Sequence, residues 1–390
     1  MMTKIKQIIL LLILIVSNSC IEKYTPELEK YENLLVIDGM ITNETGPYTI
    51  QLSTSSELYL PKNIPHTGAK ITLSDNQGNT DILTEIEDGK YISSESGIQG
   101  VVGRKYKIEI ITREGTSFES GFEELKVPSN IKQVYAEIET KQLINEPQLL
   151  EGYQFYIDTE KSMSPDNYYL WKLYETYKFN SDFKIYYVFE GRLKPVYNTD
   201  TLYTCWKTND IKDIFTYSTS GLDQTGISNI PLNYVSTNTK RLTQKYSLLT
   251  EQLTITKQAF DYWSSLKKQN SDQGNLYAQQ PYQIKGNIKN TENPDEPVLG
   301  YFMAASVVKN RIFVDPPEGV FFHLGECTPD DDIMMVLYST PASDWPIYLT
   351  MMPGGGIAYA AQSCLDCTNT GGELDKPDFW PEENQSYNKY

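Results

Sequence analysis

Between residues 32 and 128 one pattern recurs: a short apolar or alternating run, then a cluster of turn-forming residues, then the next run. The runs fall at 34–41, 48–52, 69–73, 80–83, 91–93 and 106–111, and the turn clusters at 44–47, 75–78, 87–89 and 113–115. Period two lets one face of each strand fill a core while the other meets water. A spacing of roughly ten residues leaves no room for helices between strands. The pattern therefore predicts an immunoglobulin-like β-sandwich over 32–130, closing at Val127, Pro128, Ser129 and Asn130.

The remainder, 131–390, reads as a larger β-rich domain with at least one helix. Runs at 154–157 and 168–179 carry aromatic residues on both faces, so each strand is either sandwiched or exposes adhesive surface. One segment breaks the β pattern. Thr256 is placed to cap a helix over 257–268, with Ala259, Phe260, Trp263 and Leu266 on one face and Lys257, Asp261, Ser264 and Lys268 opposite. Gln273 and Gly274 follow its end. A helix laid across a sheet, anchored by Trp263, is the economical reading. The 29 tyrosines favour β-structure and aromatic surface over helix bundles.

The N-terminus is an address. Lys4 and Lys6 precede an apolar run, Ile8 to Val16, too short to span a bilayer, and Ser17, Asn18 and Ser19 then lead into Cys20. This is the layout of a bacterial lipoprotein signal: residues 1–19 are removed and Cys20 is acylated, holding the protein on a membrane. Residues 20–31 are polar and read as a tether. Their acids are compatible with surface export in Gram-negative bacteria.

Acids number 51 against 34 bases, a formal net charge of −17. That excludes a nucleic-acid binder, which needs a basic face to replace phosphate counterions, and a polybasic hold on anionic lipid. Two histidines, His66 and His323, rule out a three-histidine metal site. Paired zinc-protease histidines, a Gly-x-Ser-x-Gly elbow and a phosphate-binding Gly-Lys loop are absent from the sequence. Gly354, Gly355 and Gly356 read as a loop, and His323 in its apolar run as a buried, hydrogen-bonded imidazole. No cofactor is expected. Asp330, Asp331 and Asp332 are the calcium candidates, beside the acidic loop 292–296, but neither has the ligand spacing of an EF-type loop.

With Cys20 on lipid, Cys205, Cys327, Cys364 and Cys367 remain, an even number in an exported chain. Two disulfides with three possible connectivities follow, stapling the C-terminal end. The Cys364–Cys367 spacing also admits a redox dithiol or half a zinc site.

The lipoprotein start, residues 35–53 and 100–106, and the later stretches Asn167–Trp171, Lys245–Leu249, Ala259–Trp263, Gly286 with Asn287, Val298–Phe302, Arg311–Phe313, Cys364–Cys367 and Lys376–Trp380 resemble, in that order, domain-of-unknown-function family 4249. The resemblance implies a two-part β-rich lipoprotein of the outer membrane, similar in context to accessory lipoproteins of TonB-dependent transporters. It supplies no catalytic residues. The expectation is thus a non-enzymatic outer-membrane lipoprotein of a Gram-negative cell surface, partnering such a transporter in nutrient uptake, ligand unknown. An adhesive or structural surface module and an anchored hydrolase of glycan or peptide are the alternatives. Tyr168, Tyr169, Trp171 and Trp206 are the candidate ligand or partner contacts, with core packing as the competing role.

Overall fold

The computed structural model describes residues 34–55, 64–144, 146–161, 166–222, 226–272, 284–352 and 354–382. The signal, Cys20, the tether, and Gln273 with Gly274 lie outside the described residues. The fold is mainly β.

Six of the strands in the first part frame its core: β1 (Leu35–Thr42), β2 (Thr49–Thr54), β3 (Lys70–Asp75), β4 (Lys90–Ile92), β5 (Lys105–Ile111) and β6 (Ser117–Ser120). β1, β2 and β4 lie in one sheet, and β3, β5 and β6 in another. Alternation does what period two requires. Ile37 and Ile41, Ile50 and Leu52, Ile71 and Leu73, and Ile108 and Ile110 enter one shared core, which makes the two sheets a sandwich.

The later part contributes β7 (Ile131–Gln142), β8 (Leu149–Thr159), β9 (Tyr168–Asn180), β10 (Thr204–Ser218), β11 (Ile230–Ser236), β12 (Tyr246–Ile255), helix α1 (Lys257–Asp272), β13 (Ile288–Asn290) and β14 (Leu299–Val314). β10, β9, β12 and β14 run side by side, and β14 then pairs parallel with β1, from Val36 opposite Leu299 to Thr42 opposite Ala305. β13 adds to β6 on the second sheet. The division expected at residue 130 is therefore crossed by both sheets. Strands from residues 288–305 complete the sandwich, and one nine-stranded sheet is common to both parts.

β14 shows how the layers are stacked. Its residues 301–307 are all buried, as a strand covered on both faces must be. Phe302 and Ala304 face the sandwich core. Ile312 and Val314, on the same face, pack against a second core formed with β7, β8 and β11. Tyr301, Met303, Ala305 and Val307 face the other way, under Ala259, Phe260, Tyr262 and Trp263 of α1. The helix lies across the sheet as the sequence suggests and begins where expected. Thr256 Oγ1 accepts from the Ala259 amide at 3.2 Å, capping the first turn, and the helix runs four residues past the predicted end.

A C-terminal cap completes the molecule. Its four-stranded sheet joins Tyr187–Phe189 and Leu193–Pro195 to Ile347–Met351 and Ile357–Ala358, accompanied by short helices α2 (Ile333–Ser339) and α3 (Gln362–Leu365). Cys327–Cys364 closes the cap on itself, and Cys205–Cys367 fastens it to β10.

Parallel pairing of β14 with β1 depends on glycine. Gly300 sits at φ +90°, and a Cβ there would lie 1.9 Å from the carbonyl oxygen of Ile37. A Cβ on Gly286 would lie 1.7 Å from the Gly300 oxygen. Gly78 has the same φ with nothing within 4 Å of its missing Cβ. Gly78→Ala should therefore cost only the left-handed strain, about 1–2 kcal/mol. Gly300→Ala adds the clash and should cost roughly 3 kcal/mol or more. Urea unfolding of both variants compares them, and equal losses would show that close approach is not the constraint at Gly300.

Candidate functional site

The structure separates the four aromatic candidates. Tyr169 and Trp171 are fully buried against a third sheet, three-stranded and formed by β7, β8 and β11, their rings stacked at 5.7 Å. The Tyr169 hydroxyl donates to Ser129 Oγ, and the Trp171 indole to Gln252 Oε1 at 3.0 Å. As ligand contacts these two are corrected: β9 is aromatic on both faces because it is covered on both. Tyr168 is half-buried under Phe260 of α1, with ring centroids 5.3 Å apart. Trp206 is roofed by the C-terminal tail, its ring edge-on to Trp380, with Lys178 at 5.8 Å from its centroid.

The four cysteines form the disulfides Cys205–Cys367 and Cys327–Cys364, with S–S distances of 2.07 and 1.96 Å. The zinc and dithiol readings are thereby set aside, since Cys364 and Cys367 each pair with a distant partner. Asp182, Cys327 and Cys364 are the metal-ligand types that cluster among the described residues, and two of their three donor atoms are disulfide sulfurs. Asp330, Asp331 and Asp332 are exposed; Asp330 accepts from the Asp332 amide in a local turn. His323 is half-buried, its Nδ1 3.0 Å from Gln148 Nε2. Gly354, Gly355 and Gly356 turn the hairpin between the last two cap strands, as the loop reading has it.

A concavity lies where α1, β13 and β14 meet, a groove of ≈ 750 Å³. Tyr262 of α1 and Tyr301 of β14 form its aromatic wall, with ring centroids 4.9 Å apart. Gln258, Asp261 and Ser265 line it from the helix, and Lys285, Asn287 and Lys289 from the chain entering and forming β13. Behind this wall sits Glu123, 1% exposed. Its carboxylate accepts from the Tyr301 hydroxyl at 2.5 Å, Thr256 Oγ1 at 2.6 Å and Asn287 Nδ2 at 3.2 Å. Thr256 thus caps the helix with one lone pair and donates its proton to Glu123. The Asn287 side chain also brackets Phe302, donating to its carbonyl and accepting from its amide, which fixes the groove wall to β14.

This arrangement suits binding. Two ring faces, two ammonium groups and several neutral donors and acceptors surround an open volume of small-ligand size. The nearby carboxylates are committed: Glu123 to its three donors, and Asp261 to Lys257 at 2.6 Å. Burial pushes the Glu123 carboxyl above its ordinary range despite the three donors, and burial likewise pushes the Tyr262 hydroxyl up to about 12.

A model of the family described as a domain of unknown function, DUF4249, matches residues 21–311. The chain belongs to that family. Neither a curated protein nor a solved structure matches it. The matched stretch contains every groove residue. It ends before α2 and before three of the four disulfide cysteines, so the family match stops short of the tail motifs on which the sequence resemblance also drew. Sequence reasoning did not single out Glu123, Tyr262, Asn287 or Tyr301 as a site. The available signal was that Ala259–Trp263, Gly286 with Asn287, and Val298–Phe302 all carry the resemblance, and in this DUF4249 chain they converge on one groove.

A buried carboxyl whose pKa is raised on folding binds more protons in the native than in the unfolded state, so stability falls as pH rises. The fall should begin near the ordinary carboxylate range and end once pH exceeds the raised native value of Glu123. Glu123→Gln, which keeps the shape without the charge, should flatten the pH dependence in that window. Thermal unfolding of both proteins from mildly acidic to mildly alkaline pH reads this; an unchanged slope would clear Glu123 of the role.

Proposed function

We propose that this DUF4249 protein is a non-enzymatic, lipid-anchored outer-membrane lipoprotein that captures a nutrient ligand for a TonB-dependent transporter. The observation that carries the reading is the lipoprotein address, a short apolar run ending in Ser19 and Cys20 ahead of a polar tether. Acylated Cys20 holds the β-scaffold at a membrane surface, which concentrates it beside membrane proteins. The aromatic and polar groove between α1 and β14 supplies a place for a small polar ligand. Tyr301 on the sheet and Tyr262 on the helix pack against one another, so the aromatic wall is built into the fold and little ordering has to accompany capture.

Extraction of the full-length protein from its native membrane in mild detergent, followed by mass spectrometry, tests the partnership. A stoichiometric TonB-dependent transporter is expected; recovery of the protein alone at low salt would count against it. Cys20→Ser should move the protein from the membrane to the soluble fraction while both disulfides still form. A Cys20→Ser protein that stayed on the membrane would remove the basis of the anchor.

A further inference from the structure

Helix α2 is built the wrong way round for a core element. Its sequence, Ile-Met-Met-Val-Leu-Tyr-Ser, is almost wholly apolar, yet none of its residues is buried. Met334, Met335 and Tyr338 are 52, 72 and 83% exposed. At helical spacing these three fall within about one-third of the circumference, a continuous apolar face turned to water. Exposed faces of this kind mark interaction surfaces.

The mounting is rigid. Three residues before the helix, Asp330 exchanges both backbone hydrogen bonds with Tyr359 at 2.7 and 2.8 Å, and Cys327 is tied to Cys364. A floppy apolar loop would fold back on the protein; this one is held out.

Charge defines the occupant. Residues 312–375 contain ten Asp and Glu and no Lys or Arg, in a chain that has 34 bases elsewhere. Asp330, Asp331 and Asp332 stand exposed at the start of the helix, with Asp344 exposed shortly after it. An anionic lipid surface would be repelled. A second copy docking through the same face would set these carboxylates against each other. We propose that α2 with its acidic rim is a protein-docking surface whose partner presents an apolar pocket bordered by Lys and Arg. The apolar face supplies the anchor and the acids set register and encounter rate. This surface belongs to the cap, beyond the stretch shared with the DUF4249 model. The inference does not require the partner to be a transporter.

The test uses the full-length protein in its own cells, carrying a photoreactive p-benzoylphenylalanine in place of Tyr338 or, as control, in place of Ile82, which is 55% exposed on the sandwich. The expected result is one discrete adduct at position 338, absent at 82 and identified by mass spectrometry as a different protein. Its yield should fall about tenfold or more in two exposed-residue backgrounds: Asp330→Lys with Asp331→Lys and Asp332→Lys, or Met334→Ser with Met335→Ser. A non-reducing gel confirms that both disulfides form; Asp331→Lys alone substitutes if the triple variant does not fold. No adduct at 338, the same adduct at 82, an adduct with lipid or a second copy, or a yield indifferent to charge reversal would each overturn the proposal. A non-transporter adduct would support this docking surface and weigh against the transporter reading. A transporter that co-purifies without crosslinking at 338 would do the reverse.

Discussion

Parallel pairing between β1 and β14 is the interaction on which the rest of the molecule depends. It joins the first strand of the sandwich to the last long strand of the later part, and three apolar layers lean on it. Phe302 and Ala304 complete the sandwich core, Ile312 and Val314 the second core, and Tyr301, Met303, Ala305 and Val307 the bed for α1. Because one strand supplies all three, loss of its register would shift every face at once. That is why a glycine with a carbonyl oxygen 1.9 Å from its absent Cβ can matter more than an exposed turn glycine.

The same junction explains a buried charge-bearing group where an apolar one would pack more simply. Glu123 joins the sandwich to α1 through Thr256, to β14 through Tyr301 and to the approach of β13 through Asn287. Four segments distant in sequence are thereby fixed in one orientation. A polar network of this kind contributes specificity of arrangement rather than net stability, since burial opposes its ionised form. The groove wall inherits that definition, because Tyr301 belongs to both.

Local features of this architecture were legible in the sequence. Alternation revealed the sandwich strands, since a strand's faces are written at period two. Thr256 and the spacing of Ala259, Phe260 and Trp263 revealed α1, since a cap and a 3.6-residue stripe are also local. What links residues far apart was not legible. No nearby residue announces that Val36 will meet Leu299, or that Cys205 will choose Cys367 over Cys364. Tyr169 and Trp171 illustrate the limit at the level of single side chains: their aromatic strand fits a sticky surface as well as a doubly covered one, and only the third sheet decides between them. Glu123 carried no sequence signal among 51 acids until its three donors were placed around it.

The cap shows how charge and attachment combine. Arg311 is the last base before the acidic stretch, and its guanidinium lies 3.6 Å from the centroid of Phe379, in the tail beyond that stretch. Trp380 beside it is buried against Phe313 and roofs Trp206, while Cys205–Cys367 closes the same contact covalently. Both ends of the acidic segment are therefore pinned to the long sheet. Consecutive and exposed on this stapled support, Asp330, Asp331 and Asp332 sum to a local negative field. Positive partners feel such a field within about 8–10 Å at physiological salt, the distance over which encounter is steered. The disulfides, on this argument, matter less for the core, which is closed by β1 and β14 without them, than for keeping an acidic, apolar-tipped surface in one shape at the outside of the protein.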